Sequence, residues 1–224
     1  MLKILVFYKK FCTFVLVMEQ LSFFAEAGQT VGLPCDVLTY HSGFLGSVES
    51  DAILAQLIES TPWKQKVVRY YDKEVITPRL SAWYGSPDQL DYTAIGKSTP
   101  LPWTHELLQL KKLVEPVAGI TFNSVLLNYY RDGQDSVTWH SDNETVMGSH
   151  PVIASLSFGQ VRCFDIRLKA NHAEKYSIKL EHGSLLLMKG DLQQKWDHRI
   201  PKSKQYMRPR INLTFRKIIS PMNP

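Results

Sequence analysis

Three side chains with metal-binding chemistry stand out in the sequence. The segment 139–142 reads Trp-His-Ser-Asp, and a second histidine, His198, follows further along the chain. Residues two apart on a strand point the same way, so His140 and Asp142 can offer a nitrogen and a carboxylate to one point. Two histidines and one carboxylate on one face of a metal ion leave its opposite face open, which suits non-haem Fe(II) and O₂ chemistry. A His-x-Asp pair alone is weak evidence, because most such pairs occur on surfaces by chance.

The segment 210–216 alternates polar and apolar residues, as a β-strand does. Ile211, Leu213 and Phe215 form an apolar face that predicts contact with a core. The polar face consists of Arg210, Asn212, Thr214 and Arg216. In an ordinary half-exposed strand these side chains would lie in solvent. Between two sheets they would line a cavity, where the two arginines could bind the ends of a short dicarboxylate through their planar guanidinium groups.

A second strand repeats this pattern. Asn128 and Tyr130 alternate with Leu127 and Tyr129, so both could point into the same cavity as polar donors. Taken alone, the pattern fits a half-exposed strand equally well.

The elements that must position these residues fall into two groups. Helices are predicted at Ser50–Ile58 and from Thr104 to Gly119, with a strand at Lys64–Tyr71 between them. Residues 78–99 are rich in Pro, Gly, Ser and Tyr, which predicts loops with short hairpins. Seven short strands then follow, at 124–130, 137–139, 152–158, 162–167, 176–180, 184–188 and 211–216. This order predicts an α+β protein, with N-terminal helices covering one face of a β-sandwich or jelly roll.

Length and composition limit the protein class. The chain has 224 residues, 44% of them hydrophobic, and a net charge of +5, which fits one soluble domain and is compatible with a polyanionic partner. Its three cysteines form no Cys-x-x-Cys pair, so we do not expect a disulfide framework. We expect a cytoplasmic location, where thiols stay reduced. Residues 1–18 resemble an export signal, but Lys9 and Lys10 interrupt the apolar run, and Met18 could be the true start. We predict an arm at 1–37, one domain at 38–217 and a tail at 218–224.

Several segments together resemble the AlkB family of Fe(II)- and 2-oxoglutarate-dependent dioxygenases, in its DNA-repair branch. The matching segments are 122–133, 139–144, 154–159, 182–186 and 209–216, joined by 78–80 and 82–85. They occur in the family's order and spacing. The resemblance implies a double-stranded β-helix (jelly roll) with a nucleotide-recognition hairpin region.

The resemblance also implies roles for individual residues. The iron ligands would be His140, Asp142 and His198. The 2-oxoglutarate contacts would be Asn128, Tyr130, Arg210, Asn212 and Arg216, with Arg210 at the carboxylate far from the metal and Arg216 nearer to it. The nucleotide contacts would be Arg79, Trp83, Tyr84, Tyr92 and Glu144. The family often has an aromatic residue where this chain has Ala94.

The activity that this resemblance implies is oxidative demethylation of 1-methyladenine and 3-methylcytosine in DNA. 2-Oxoglutarate and O₂ would be consumed, and succinate and formaldehyde released. The target base would have to leave the base stack to reach a buried metal. The alternatives are an RNA or protein hydroxylase or demethylase of the same fold, and a nucleic-acid-binding relative without turnover. We expect a monomer that does not bind membranes. His182, which precedes an apolar strand at a turn, is interpreted as structural.

Overall fold

The computed structural model describes residues 34–70, 73–86 and 99–219, and this part of the chain forms two antiparallel sheets and three helices. The larger sheet has the order β1-β10-β7-β12-β5-β3-β2, and β4 pairs with β3. Its strands are β1 Leu38–His41, β2 Lys64–Tyr70, β3 Lys73–Gly85, β4 Leu101–Pro102, β5 Ser124–Tyr130, β7 Ile153–Gly159, β10 Ser184–Met188 and β12 Arg210–Arg216. Only β4 pairs in parallel.

The smaller sheet has four strands in the order β6-β11-β8-β9. These are β6 Val137–His140, β8 Arg162–Leu168, β9 Lys175–Leu180 and β11 Trp196–Ile200. Side chains from both sheets line one cavity. The two sheets are the layers of a jelly roll, and the predicted α+β fold is confirmed.

Two long helices cover the outer face of the larger sheet. Helix α1 spans Ser47–Ser60 and helix α2 spans His105–Ala118, and both contact β7. Helix α2 begins where the Thr104 hydroxyl accepts a hydrogen bond from the Leu107 amide, and it ends at Gly119 in the left-handed conformation. The third helix, α3, is a single turn at Leu192–Lys195.

The core lies between these helices and the larger sheet. Alternate residues of each central strand enter it, including Leu127 of β5, Leu156 of β7 and Leu213 of β12, all fully buried. The intervening residues of the same strands face the cavity on the other side of the sheet. One alternating pattern therefore builds the core and the cavity lining together.

Two parts of the sequence-based prediction differ from the structure. Residues 78–85 belong to the strand Lys73–Gly85, although they were predicted as loops. The pairing of β2 and β3 shifts register opposite Lys66, and Pro78 lies in this bulge, where its missing N–H costs no ladder hydrogen bond. The strand at Trp196–Ile200 was also missed, because its three central residues, Asp197, His198 and Arg199, are charged or polar and give no apolar run.

Some predictions fall outside the described residues or are only partly covered. Tyr92, Ala94 and most of the proposed arm at 1–37 lie outside them. Cys35 and Cys163 are free, and Cys12 is not described. No helix within 34–70, 73–86 and 99–219 has the length and apolarity needed to span a membrane.

Candidate active site

A cavity of about 230 Å³ lies between the two sheets. Its lining contains all eight residues that the sequence assigned to metal and 2-oxoglutarate: Asn128, Tyr130, His140, Asp142, His198, Arg210, Asn212 and Arg216. Arg210 is only 1% exposed, and Asn212 and Thr214 are also buried. The polar face of β12 therefore lines a cavity, and the alternative of a solvent-facing strand is wrong.

His140, Asp142 and His198 form a metal-binding cluster. One ligand atom from each lies within 4.8 Å of the other two. Among the described residues, this is the one cluster of side chains that could hold a metal ion. Strand pairing explains the proximity, because His198 of β11 lies directly opposite His140 of β6. The two imidazole rings are 4.3 Å apart between centroids.

A β-bulge aims His140 into the cavity. Val137 pairs with Ile200 and His140 pairs with His198, so two residues of β6, Thr138 and Trp139, face the single residue Arg199. In a regular strand Val137 and His140 would point to opposite faces. The extra residue of the bulge reverses the alternation, and both side chains line the cavity.

The bulge also fixes the tautomer of His140. Its Nδ1 lies 2.9 Å from the carbonyl oxygen of Thr138, so Nδ1 carries the hydrogen and Nε2 has the free lone pair. His198 is 5% exposed. Burial, reinforced by the neighbouring His140, lowers the pKa of His198 to about 4. At neutral pH His198 is uncharged and can bind a cation through its lone pair.

Asp142 is held as a carboxylate by its surroundings. Burial alone would raise the pKa of Asp142, but the positive charge of Arg216 outweighs it and holds the pKa below its usual value. Arg216 donates a hydrogen bond of 2.9 Å to the carboxylate. The Asp142 amide donates to Oε1 of buried Gln193 at 2.8 Å. Lys169 bonds both the Ser141 hydroxyl and the Gln193 carbonyl, which ties this segment to helix α3.

Arg210 provides a fixed positive charge at the far end of the cavity. Its Nη2 donates to the Ser157 hydroxyl and to Oδ1 of Asn212, both at 3.0 Å. Burial lowers the pKa of Arg210 to about 10, so the group stays protonated at neutral pH. Its Nε and Nη1 are buried and have no hydrogen-bond partner among the residues described. A buried cation with free donors suits an anionic ligand, because an unpaired buried charge is costly.

Asn212 connects the buried polar side chains around Arg210 through three hydrogen bonds. Its Oδ1 accepts hydrogen bonds from Arg210 and from the Ser155 hydroxyl, while its Nδ2 donates to Thr214 at 2.9 Å. The structure thus gives Asn212 a role in orienting Arg210.

A second arginine, Arg79, contacts Asn128 of the same cavity. Its Nε donates a hydrogen bond of 3.0 Å to Oδ1 of Asn128. Arg79 lines the same cavity as the proposed 2-oxoglutarate contacts.

A second cavity of about 150 Å³ adjoins the first. Leu126, Glu144 and Arg216 line both cavities. Trp83 also lines the second cavity, together with Lys66, which belongs to a basic segment suited to phosphates and stacked bases, and with Ser124, Met147 and Ile218. No spacing signal marks the last three, since they come from distant segments. Trp83 and Glu144 therefore lie together beside the metal cluster.

Tyr84 and His182 line neither of the two cavities. Tyr84 is 4% exposed and belongs to the hydrophobic core, so the structure places it on the opposite face of β3 from Trp83. His182 accepts a hydrogen bond from the Gly159 amide and lies 3.2 Å from the Asp51 carboxylate. These contacts confirm that His182 is structural.

Comparison with known proteins identifies the family of this chain. Residues 37–216 match the 2OG-Fe(II) oxygenase superfamily. The mouse and human proteins named alpha-ketoglutarate-dependent dioxygenase alkB homolog 3 are each 44% identical, over 80% of this chain and 65% of their own length. The chain thus spans a little under two thirds of these relatives. The mouse DNA oxidative demethylase ALKBH2 is 36% identical over 84% of this chain and 81% of its own length.

A solved structure supports the fold independently. The structure of OsALKBH1 superposes with a TM-score of 0.59 at 15% identity, covering 80% of this chain and 97% of that one. The site residues also fit the family's cofactors. Two neutral imidazoles and one carboxylate are ligands that non-haem Fe(II) uses, and the free donors of Arg210 suit a carboxylate of 2-oxoglutarate. The chain therefore belongs to the 2OG-Fe(II) oxygenase superfamily and, within it, to the AlkB type.

Proposed function

We propose that this protein oxidatively removes N-methyl groups from 1-methyladenine and 3-methylcytosine in DNA. The reaction would consume 2-oxoglutarate and O₂ and give succinate, CO₂, formaldehyde and the demethylated base. The observation that carries the proposal is the junction of the two cavities: the metal cluster lines the first, and Glu144 lines both.

His140, Asp142 and His198 would hold Fe(II). With 2-oxoglutarate and O₂, Fe(II) held there would supply the oxidant that hydroxylates a methyl C–H bond. The protein's part is to keep His198 neutral and Asp142 ionised before the metal binds. The low pKa values of His198 and Asp142 meet that requirement.

Arg210, Asn128 and Tyr130 would bind 2-oxoglutarate. Arg210 is oriented by Ser157 and Asn212, so its remaining donors can pair with the carboxylate far from the metal. The Asn128 oxygen already accepts from Arg79, and this leaves the amide nitrogen of Asn128 to donate to a ligand. Arg216, bound to Asp142, would lie nearer the metal-side carboxylate.

The second cavity would receive the flipped base. Trp83 provides an aromatic surface of the kind on which bases stack. The carboxylate of Glu144 can accept a hydrogen bond from the exocyclic amine of adenine or cytosine. Methylation at N1 of adenine or N3 of cytosine makes the base cationic, so an acidic side chain also attracts it electrostatically. Tyr92, outside the described residues, remains a proposed base contact.

DNA is proposed as the nucleic acid because the ALKBH2 relatives bear the name DNA oxidative demethylase. An RNA substrate with the same methylated bases is the second candidate, since Trp83 and Glu144 would contact the base and not the sugar. The net charge of +5 suits either polyanion.

The test is single-turnover demethylation of an oligonucleotide that contains one 1-methyladenine. Glu144→Gln keeps the size and the hydrogen-bond acceptor but removes the charge. We expect it to slow methyl removal at least tenfold while 2-oxoglutarate turnover without substrate continues. Trp83→Leu should weaken oligonucleotide binding through lost stacking, which is typically worth about 1–3 kcal/mol per base. Methyl removal by Glu144→Gln at the wild-type rate would contradict this role for Glu144.

A further inference from the structure

The outer face of the smaller sheet carries a cluster directly behind the metal ligands. We define the Trp139 cluster as Trp139, Arg167, Arg199, Asp165 and Asp197. Trp139 is partly buried, and the guanidinium carbons of Arg167 and Arg199 each lie 4.4 Å from the centroid of its ring. Contacts this short place both cations within the range of strong cation–π attraction.

Ion pairs fix both arginines in place. Arg199 pairs directly with Asp165 across β11 and β8, at 2.9 Å. Arg167 pairs in the same way with Asp197, at 3.2 Å. The indole of Trp139 thus lies against two cations that are both tied to the inner strands of the sheet.

Trp139 lies in the strand of the metal site that has the fewest backbone pairings. Strand β6 is the four-residue edge strand of its sheet, and only two of its residues, Val137 and His140, pair in register with β11. The bulge between them contains Trp139 itself and Thr138, whose carbonyl accepts from Nδ1 of His140. An edge strand with so few registered pairs depends on side-chain contacts to hold its geometry.

We infer that the Trp139 cluster is a positioning device, which holds the bulge of β6 so that Nε2 of His140 faces the metal. Trp139 lines neither of the two cavities. It acts through the Thr138 carbonyl, in the way that other partners of metal-bound histidines fix the ring and tautomer. The inference rests on the proposed metal role of His140 and does not depend on which substrate the protein demethylates.

The test is Mn(II) affinity, measured by calorimetric titration of the metal-free protein in the presence of 2-oxoglutarate. Mn(II) is used because the readout then needs no turnover. Changes in partners of metal-bound histidines typically weaken metal binding by about 10- to 100-fold. We expect Trp139→Leu to weaken Mn(II) binding at least tenfold, and Trp139→Phe, which keeps an aromatic face, to stay within about threefold. The d–d spectrum of the Co(II)-loaded protein should change in Trp139→Leu and not in Trp139→Phe.

Tyr176→Leu is the matched control. Tyr176 lies on β9, the opposite edge strand of the same sheet, and packs on Trp196 with ring centroids 5.8 Å apart. The control should lower thermal stability while Mn(II) affinity stays at the wild-type value. Wild-type Mn(II) affinity in Trp139→Leu, or an equal loss in Tyr176→Leu, would overturn the inference. If Trp139→Leu does not fold, Arg167→Lys replaces it, because Arg167 stacks on Trp139 and lines neither cavity. That variant keeps the charge beside Asp197 but loses the planar stack, and unchanged affinity in it would also overturn the inference.

Discussion

Replacing Arg210 with lysine tests how the protein binds its dicarboxylate. In the wild type, Nη2 donates to Ser157 and Asn212, while Nε and Nη1 have no hydrogen-bond partner in the described structure. Arg210→Lys keeps the positive charge but concentrates its donors on one nitrogen. That nitrogen cannot reach Ser157, Asn212 and a ligand carboxylate together, because it lacks the planar fork of arginine.

The loss can be estimated from the hydrogen bonds that Arg210→Lys gives up. A hydrogen bond to a charged group contributes about 1.5–3 kcal/mol in a buried site. Losing one such bond to 2-oxoglutarate corresponds to about a 10- to 150-fold higher Kd, at about 1.4 kcal/mol per factor of ten. Arg210 is almost fully buried, so solvent should not replace the missing bond.

The assay for Arg210→Lys is calorimetric titration of 2-oxoglutarate into the Mn(II)-loaded protein, which does not turn over. Arg131→Lys is the matched control, since Arg131 pairs with Asp135 at a half-exposed position outside the cavity lining. We expect its Kd for 2-oxoglutarate to stay within about twofold of the wild type, because Arg131 does not line the cavity. A Kd for Arg210→Lys within twofold of the wild type would refute the assignment of Arg210 to the carboxylate.

Three further substitutions test how the fold supports the site. Gly159→Ala should destabilise the protein by about 2–4 kcal/mol in urea unfolding, because Gly159 has φ +89 and a Cβ there would collide with the Pro209 carbonyl. Gly119→Ala, with φ +70 but open space around it, should cost only about 1 kcal/mol, and equal losses would refute the steric argument. Burial alone would raise the pKa of Asp135, but its hydrogen bonds to Arg131 hold the pKa below its usual value. The carboxylate therefore stabilises the fold above about pH 4 and loses this effect as the pH falls through its folded pKa. Asp135→Asn should be less stable than wild type at pH 7 by about 1–2 kcal/mol, and this gap should narrow as the pH falls below about 4. A gap that does not change with pH would contradict the pairing.

Alternation in the last strand carried most of the information about the site. Leu213 and Arg210 lie on opposite faces of the strand, and the alternation predicted which of them enters the core. Whether the polar face met solvent or a cavity was left open by the alternation, and the burial of Arg210 shows that it lines a cavity. The prediction holds because both faces of β12 are buried, so a slip of one residue would place arginine in the core.

Other features of the site have no signal in the local sequence. The bulge at Thr138 and Trp139 depends on pairing with β11, a strand that the sequence did not predict. Gln193 reaches the amide of Asp142 from a single-turn helix remote in sequence. Such contacts arise from tertiary packing, so neither periodicity nor motif spacing could predict them.

Base contacts were the least predictable part. Trp83 and Tyr84 are adjacent aromatic residues, and both were expected to contact the nucleotide. Strand geometry sends neighbouring residues to opposite faces, so Trp83 lines a cavity while Tyr84 enters the core. Because residues 78–85 were predicted as loops, that geometric constraint was not applied.

The most direct test of the proposed chemistry is the ratio of formaldehyde released to succinate formed on a 1-methyladenine oligonucleotide, with Fe(II), 2-oxoglutarate and O₂ supplied. The wild type should give about one formaldehyde per succinate, each from one turnover. His182→Ala should keep this ratio, because His182 contacts the Gly159 amide and lies outside the metal cluster. His198→Ala should form neither product, because it lacks one of the three metal ligands. Succinate formation without formaldehyde from methylated DNA or RNA, or full activity in His198→Ala, would contradict the proposed demethylation at this site.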